Sequence, residues 1–208
     1  RSQGTERWGL SRALMRHEPN IRRTIEACAE AMQPWARFSL LEELARPEAE
    51  SRIQRSEISQ PAIFAMQMGL AELWKSWGVQ PAAIVGHSVG EYAAACVAGI
   101  LSLEQGSEVI VHRGRCMQDF APSGGGMLAV GLSGDEARAV IARHDRNITI
   151  AAFNAPRSVT LAGLRTSLEA IAAELGATAI LARRLQTSQP FHPGFAQPAT
   201  ERPRPGVR

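Results

Sequence analysis

Cysteine is scarce and odd in number: the 208 residues hold three, Cys28, Cys96 and Cys116. Such a scattered set is no disulfide framework, and without a CxxC pair it offers no metal site. It reads as three plain thiols. No apolar run reaches the roughly 18 residues that cross a bilayer, and no signal peptide opens the chain. No Lys/Arg-rich stripe with interleaved aromatics occurs either. The net charge is +3, and residues 201–208 alone carry three Arg against one Glu. These absences argue against a secreted disulfide scaffold, a helical membrane protein and a nucleic-acid binder, and make a cytoplasmic setting the expectation. Nor is there an internal repeat of solenoid period.

What is present is a globular composition, 45% apolar and 21% charged, with length enough for one domain, or one domain with a small subdomain. The first residue is Arg1, and Pro193, Pro198, Pro203 and Pro205 crowd the last stretch. Both features suggest a piece of something larger, with 201–208 an irregular tail.

Hydrophobic spacing orders the interior. An amphipathic helix is expected over 21–32, and a polar surface connection over 48–59. A strong helix should start at Pro61, with Ile63, Met66, Leu70, Leu73, Trp74 and Trp77 at helical spacing and Gly78 as its terminator. The run Ala82-Ala83-Ile84-Val85 has the texture of a buried strand, and a helix follows from Tyr92. Another helix is expected over 103–118, capped by Ser102. After the break Pro122-Ser123-Gly124-Gly125-Gly126 the pattern reads strand 127–130, helix 134–143, strand 148–154, strand 158–162, helix 164–175, strand 178–181, with Ser133 and Thr166 as caps. That β-α-β-β-α-β order is ferredoxin-like.

Between the expected strand and helix stands Gly86-His87-Ser88-Val89-Gly90. This is the nucleophile-elbow pattern: a sharp turn lifts a serine hydroxyl clear of the sheet, glycines on either side relieve crowding, and the next helix offers amides to an oxyanion. Ser88 is the candidate nucleophile, and the amide of Val89 the first oxyanion donor.

Gly86-His87-Ser88-Val89-Gly90-Glu91-Tyr92 resembles the GHSxGE motif of malonyl-CoA:carrier-protein transacylases and polyketide synthase acyltransferases. Further segments resemble that family in order: Ser2-Gln3-Gly4-Thr5 with Trp8-Gly9, Ser59-Gln60-Pro61-Ala62, His112-Arg113-Gly114-Arg115-Cys116-Met117, Asn154-Ala155-Pro156-Arg157-Ser158-Val159 and Phe191-His192. The resemblance implies an α/β fold: a larger α/β-hydrolase-like body with a parallel sheet and nucleophile elbow (1–123 and 186–200), plus an inserted ferredoxin-like small subdomain (124–185). It implies that Ser88 is the nucleophile, His192 its general base, and the amides of Gln3 and Val89 the oxyanion hole. Arg113 would take the free carboxylate of the acyl group, a task suited to a planar guanidinium. Gln60, His87 and Asn154 would lie near the substrate, and Phe191 would crowd an α-methyl branch and so favour malonyl. No metal or bound cofactor is implied. Acyl-CoA is the substrate and the phosphopantetheine thiol of an acyl carrier protein the acceptor, with neighbouring synthase domains as further partners.

The chain departs from the family after His192, where Pro193-Gly194-Phe195 follows and the sequence soon ends. A C-terminally truncated domain is the resulting expectation. Two rival readings stand beside it. One is a serine thioesterase or esterase of α/β-hydrolase type, drawing its acid from Asp119, Asp135, Asp145 or Glu169. The other is an inactive acyltransferase remnant.

Overall fold

The computed structural model describes residues 10–120, 124–144 and 147–185, which fall into two compact units dividing between Gln118 and Asp119. The first is helical among the described residues: α1 (Leu10–His17), α2 (Pro19–Met32), α3 (Leu40–Ala45), α4 (Ser56–Ser76), α5 (Gly90–Val97) and α6 (Leu103–Phe120), whose last two residues pass that division. Proline at the first position of α2 gives up an amide that would have had no helical partner. Ile21, Ile25, Cys28 and Met32 then recur at helical spacing, all buried. That stripe packs against α4 through Phe64, Ala65, Met68 and Leu73. α6 opens with a reciprocal cap: the amide of Gln105 donates to Ser102 Oγ at 3.2 Å, and that of Ser102 to Gln105 Oε1 at 2.9 Å.

α4 begins five residues before its expected start. Its first residue, Ser56, is fully buried and donates its amide to Gln118 Oε1 at 2.9 Å. The surface connection therefore ends by Arg55, and Pro61 lies inside the helix. So near the N-terminus a proline removes one bond, to the carbonyl of Glu57, and burial of Ile58, Ala62 and Phe64 outweighs that loss. The end of α4 falls where the sequence placed it. Gly78 takes φ +82°, and the amides of Gly78 and Val79 donate to the carbonyls of Lys75 and Trp74. Trp74 and Trp77, expected on the apolar face, are instead 54% and 61% exposed. The stripe facing α2 is complete at Leu73, and the two indoles pack edge-on against each other.

The run 82–85 is the plainest correction. It forms no ladder, and Val85 is 95% exposed. A strand exists only where a neighbour takes its amides and carbonyls, and no strand pairs with this run among the described residues. The expected parallel sheet is accordingly absent from them: every ladder there is antiparallel.

Those ladders belong to the second unit, which runs β1 (Gly125–Val130), α7 (Gly134–Arg143), β2 (Thr149–Ala155), β3 (Ser158–Leu164), α8 (Arg165–Ala177) and β4 (Ala182–Arg184). The sheet order is β2-β3-β1-β4. Leu128 stands opposite Leu161 and Val130 opposite Val159, so one face of the sheet joins Leu168, Ile171 and Leu175 of α8 and Val140 of α7 in one core. Ser133 and Glu136 form a capping box at the start of α7, as the sequence indicates. Thr166 does not cap α8; Leu164 holds that place, with no side-chain bond. The last strand lies four residues later than expected. Thr178 and Ala179 instead close α8, with Ala179 at φ +55° and the amide of Ile180 donating to the carbonyl of Leu175.

Candidate active site at the turn before α5

The turn that carries Ser88 is built by close approach. A Cβ on Gly86 would stand 2.5 Å from the amide nitrogen of Glu91 and from the carbonyl oxygen of Gly90, and nearer still to Glu91 Cα. Only glycine lets the chain double back so tightly onto the start of α5. Ser88 itself has φ +54°. The left-handed region costs a side-chain-bearing residue about 1–2 kcal/mol, strain often found where a side chain must be aimed. Two bonds fix the turn: Gly90 N–H to the carbonyl of His87 at 3.0 Å, and Glu91 N–H to that of Ser88 at 3.1 Å. The side chain of Val89 is fully buried and anchors the turn in the core. Its amide has no acceptor among the described residues, as an oxyanion donor requires.

α6 brings the charge. A Cβ on Gly114 would lie 2.8 Å from the carbonyl oxygen of Ser56 and 3.1 Å from Glu57 Cα. Glycine there lets α6 close on the first turn of α4. Arg113 consequently reaches across to fully buried Gln60, whose Oε1 accepts from Nη1, and to Ser88, whose Oγ accepts from Nη2 at 3.1 Å. The ring of Tyr92 lies 5.7 Å from the guanidinium carbon. Burial pushes the pKa of Arg113 below its ordinary value, and the phenol of Tyr92 and then the carboxylate of Glu91 push it back up. Among the described residues no carboxylate comes within ion-pair distance of Arg113. A half-buried cation held only by neutral oxygens and a ring is poised for an anion.

Sequence reasoning named Ser88, Val89, Gln60 and Arg113, and these come together. His87 goes elsewhere. It is exposed and lines a groove of about 490 Å³ whose walls include Trp74, Val79, Ile84 and Val85. Asn154 is in the second unit, near the two-residue turn Pro156-Arg157 between β2 and β3, and its amide donates to Thr160 Oγ1 at 2.9 Å. Gln3, Phe191 and His192 lie outside the described residues. Arg115 and His112 hold each other through a contact of 2.7 Å to His112 Nδ1, with Trp35 packed against the imidazole. Tyr92 was passed over, although its place four residues after Ser88, one helical turn on, was the available signal. No three His, Cys, Asp or Glu side chains could hold a metal ion, and no helix is long and apolar enough to cross a membrane, among the described residues.

Comparison with known proteins decides what this turn belongs to. The family profile described as "Acyl transferase domain" matches residues 2–204. The chain belongs to the acyl transferase domain family. It is 40% identical over 190 residues to the spectinabilin polyketide synthase system protein NorA' of Streptomyces orinoci, spanning 91% of this chain and 5% of that one. The acyltransferase domain from module 8 of the salinomycin polyketide synthase superposes with a TM-score of 0.84 at 32% identity, covering 94% of this chain and 46% of the solved one. A malonyl CoA-acyl carrier protein transacylase from Clostridium perfringens gives a TM-score of 0.78 at 26% identity, covering 96% and 63%. The acyl transferase chain thus spans roughly half to two-thirds of these solved relatives, and a small fraction of the synthase.

Proposed function

We propose that this acyl transferase chain moves a malonyl-type acyl group from coenzyme A to the phosphopantetheine thiol of an acyl carrier protein, through an ester on Ser88. The observation that carries the reading is the half-buried guanidinium of Arg113, 3.1 Å from Ser88 Oγ and without a carboxylate partner among the described residues. It sets an anion subsite beside the nucleophile, where a dicarboxylic acyl group needs one and a simple ester does not. In the first half-reaction Ser88 Oγ adds to the thioester carbonyl as its proton passes to His192. The oxyanion rests on the amides of Val89 and Gln3, the C–S bond breaks, and the thiolate takes the proton as coenzyme A leaves. In the second, the carrier's thiol adds to the ester carbonyl, His192 takes the thiol proton, and that proton returns to Ser88 Oγ as it departs. Phe191 favours malonyl over methylmalonyl.

The same reading assigns residues 124–185, within the second unit, as a ferredoxin-like subdomain inserted in an α/β-hydrolase-like body. Its support is the sheet order β2-β3-β1-β4 with antiparallel neighbours.

The test is intact-protein mass after brief incubation with malonyl-CoA, beside Ser88→Ala, followed by a pantetheine thiol. A malonyl adduct on the first protein only, discharged onto the added thiol, is the expected result. Rapid release of coenzyme A without an acceptor would point to a hydrolase instead. No adduct on folded protein would make the chain an inactive member of the family.

A further inference from the structure

We infer that Tyr92, the chain's single tyrosine, is a positioning residue that holds the guanidinium of Arg113 in the plane where it can meet a carboxylate beside Ser88. The inference rests on the acyl-transfer reading above and adds a residue to it.

Tyr92 is the third residue of α5 and lies one helical turn beyond Ser88. The eight-residue helix that follows the elbow therefore also presents this ring to Arg113 on α6. Ring and guanidinium carbon are 5.7 Å apart, within cation–π range. The other two contacts act on the tips of the fork: Gln60 Oε1 takes Nη1 and Ser88 Oγ takes Nη2. Neither face of the guanidinium is held by them. When a carboxylate arrives and takes Nη2 from Ser88, one tip contact is exchanged, and only Gln60 and Tyr92 remain. Two parallel bonds to a carboxylate demand that the fork stay in one plane, and an aromatic face packed against it supplies that restraint in a half-buried setting. Gln60 alone fixes a point; Gln60 with Tyr92 fixes an orientation.

The experiment measures initial rates of Ser88 acylation by intact mass, at limiting malonyl-CoA and at limiting acetyl-CoA, for the wild type, Tyr92→Phe and Tyr92→Leu. Acetyl lacks the free carboxylate and should not sense the orientation of Arg113. Tyr92→Leu should lower the malonyl rate about 5–10-fold, as loss of a partly desolvated cation–π contact implies. The loss should fall mainly in KM, and the acetyl rate should stay within about twofold of wild type. Tyr92→Phe keeps the ring and should retain most of the selectivity. Equal loss for both acyl groups, or unchanged selectivity in Tyr92→Leu, would overturn the inference. If the wild type is acylated by neither thioester, the acyl-transfer reading fails by itself. Tyr92 is then decided by phenylglyoxal labelling of Arg113, followed by peptide mass. Labelling of Arg113 should quicken severalfold in Tyr92→Leu, while Arg115, two residues along α6 and held by His112, keeps its rate. An unchanged Arg113, or both arginines quickening together, would show that Tyr92 does not position the guanidinium.

Discussion

In the second unit each strand has an antiparallel partner, with register shifts only between β2 and β3, and α7 and α8 complete the core over one face of the sheet. In the first unit the helices α2 and α4 bury each other as thoroughly, yet the run 82–85 leading to Ser88 carries exposed Ile84 and Val85 and no ladder among the described residues. The difference is one of partners. In the second unit every strand has a hydrogen-bonded neighbour, β2 joined to β3 by a two-residue turn and β1 paired with β3 and β4 from farther along the chain. The first unit holds Ser88 on a turn locked by short bonds and close backbone approach, so the turn keeps its shape although, among the described residues, no strand pairs with the run before it.

Three substitutions sharpen this contrast. The largest effect belongs to Leu161→Ala, which empties a fully buried position in the core of the second unit. It should cost about 2–5 kcal/mol in urea unfolding followed by circular dichroism. All four tryptophans, Trp8, Trp35, Trp74 and Trp77, precede Gln118, so tryptophan fluorescence follows the first unit alone. An unchanged fluorescence midpoint would make the units independent; a matching shift would make them one cooperative body. Next comes Gly114→Ala, where the new methyl meets backbone of α4. It should destabilise the first unit by about 1–3 kcal/mol in the fluorescence-detected transition, and part Arg113 from Gln60, lowering malonyl acylation more than acetyl. Smallest is Ala179→Gly. Ala179 is exposed at φ +55°, and glycine there should stabilise the second unit by about 0.5–1 kcal/mol, read as a higher circular-dichroism midpoint with fluorescence unmoved.

Much of this was legible in the residues. Helix ends were, because capping residues act within a turn of where they stand: Ser102, Ser133 and Gly78 end or begin helices as their chemistry requires. The site was legible because Gly86, Ser88, Arg113 and Gln60 answer to chemical demands that few residue types meet. Ala82–Val85 was misread because apolar texture records what a segment could pair with, and pairing depends on a neighbour elsewhere in the chain. Pro61 was misread as a start because propensity is a weak prior, which burial of Ile58 and Phe64 overrides. Tyr92 was missed because its role depends on the spacing of α5 and α6, which no local pattern encodes.

Gly86 carries a last consequence, for the set of sequences that could replace this one. Every single-base change that alters a glycine codon's meaning to another residue adds a Cβ, and at Gly86 any Cβ meets fixed backbone. At Gly176, by contrast, a Cβ meets nothing within 4 Å. The two glycines differ, then, in the number of viable neighbours each has: position 176 lies on open ground that drift can cross in many directions, while position 86 is an isolated point. A library randomised at both and sorted for acylation should return a broad spectrum of residues at the first and a single letter at the second.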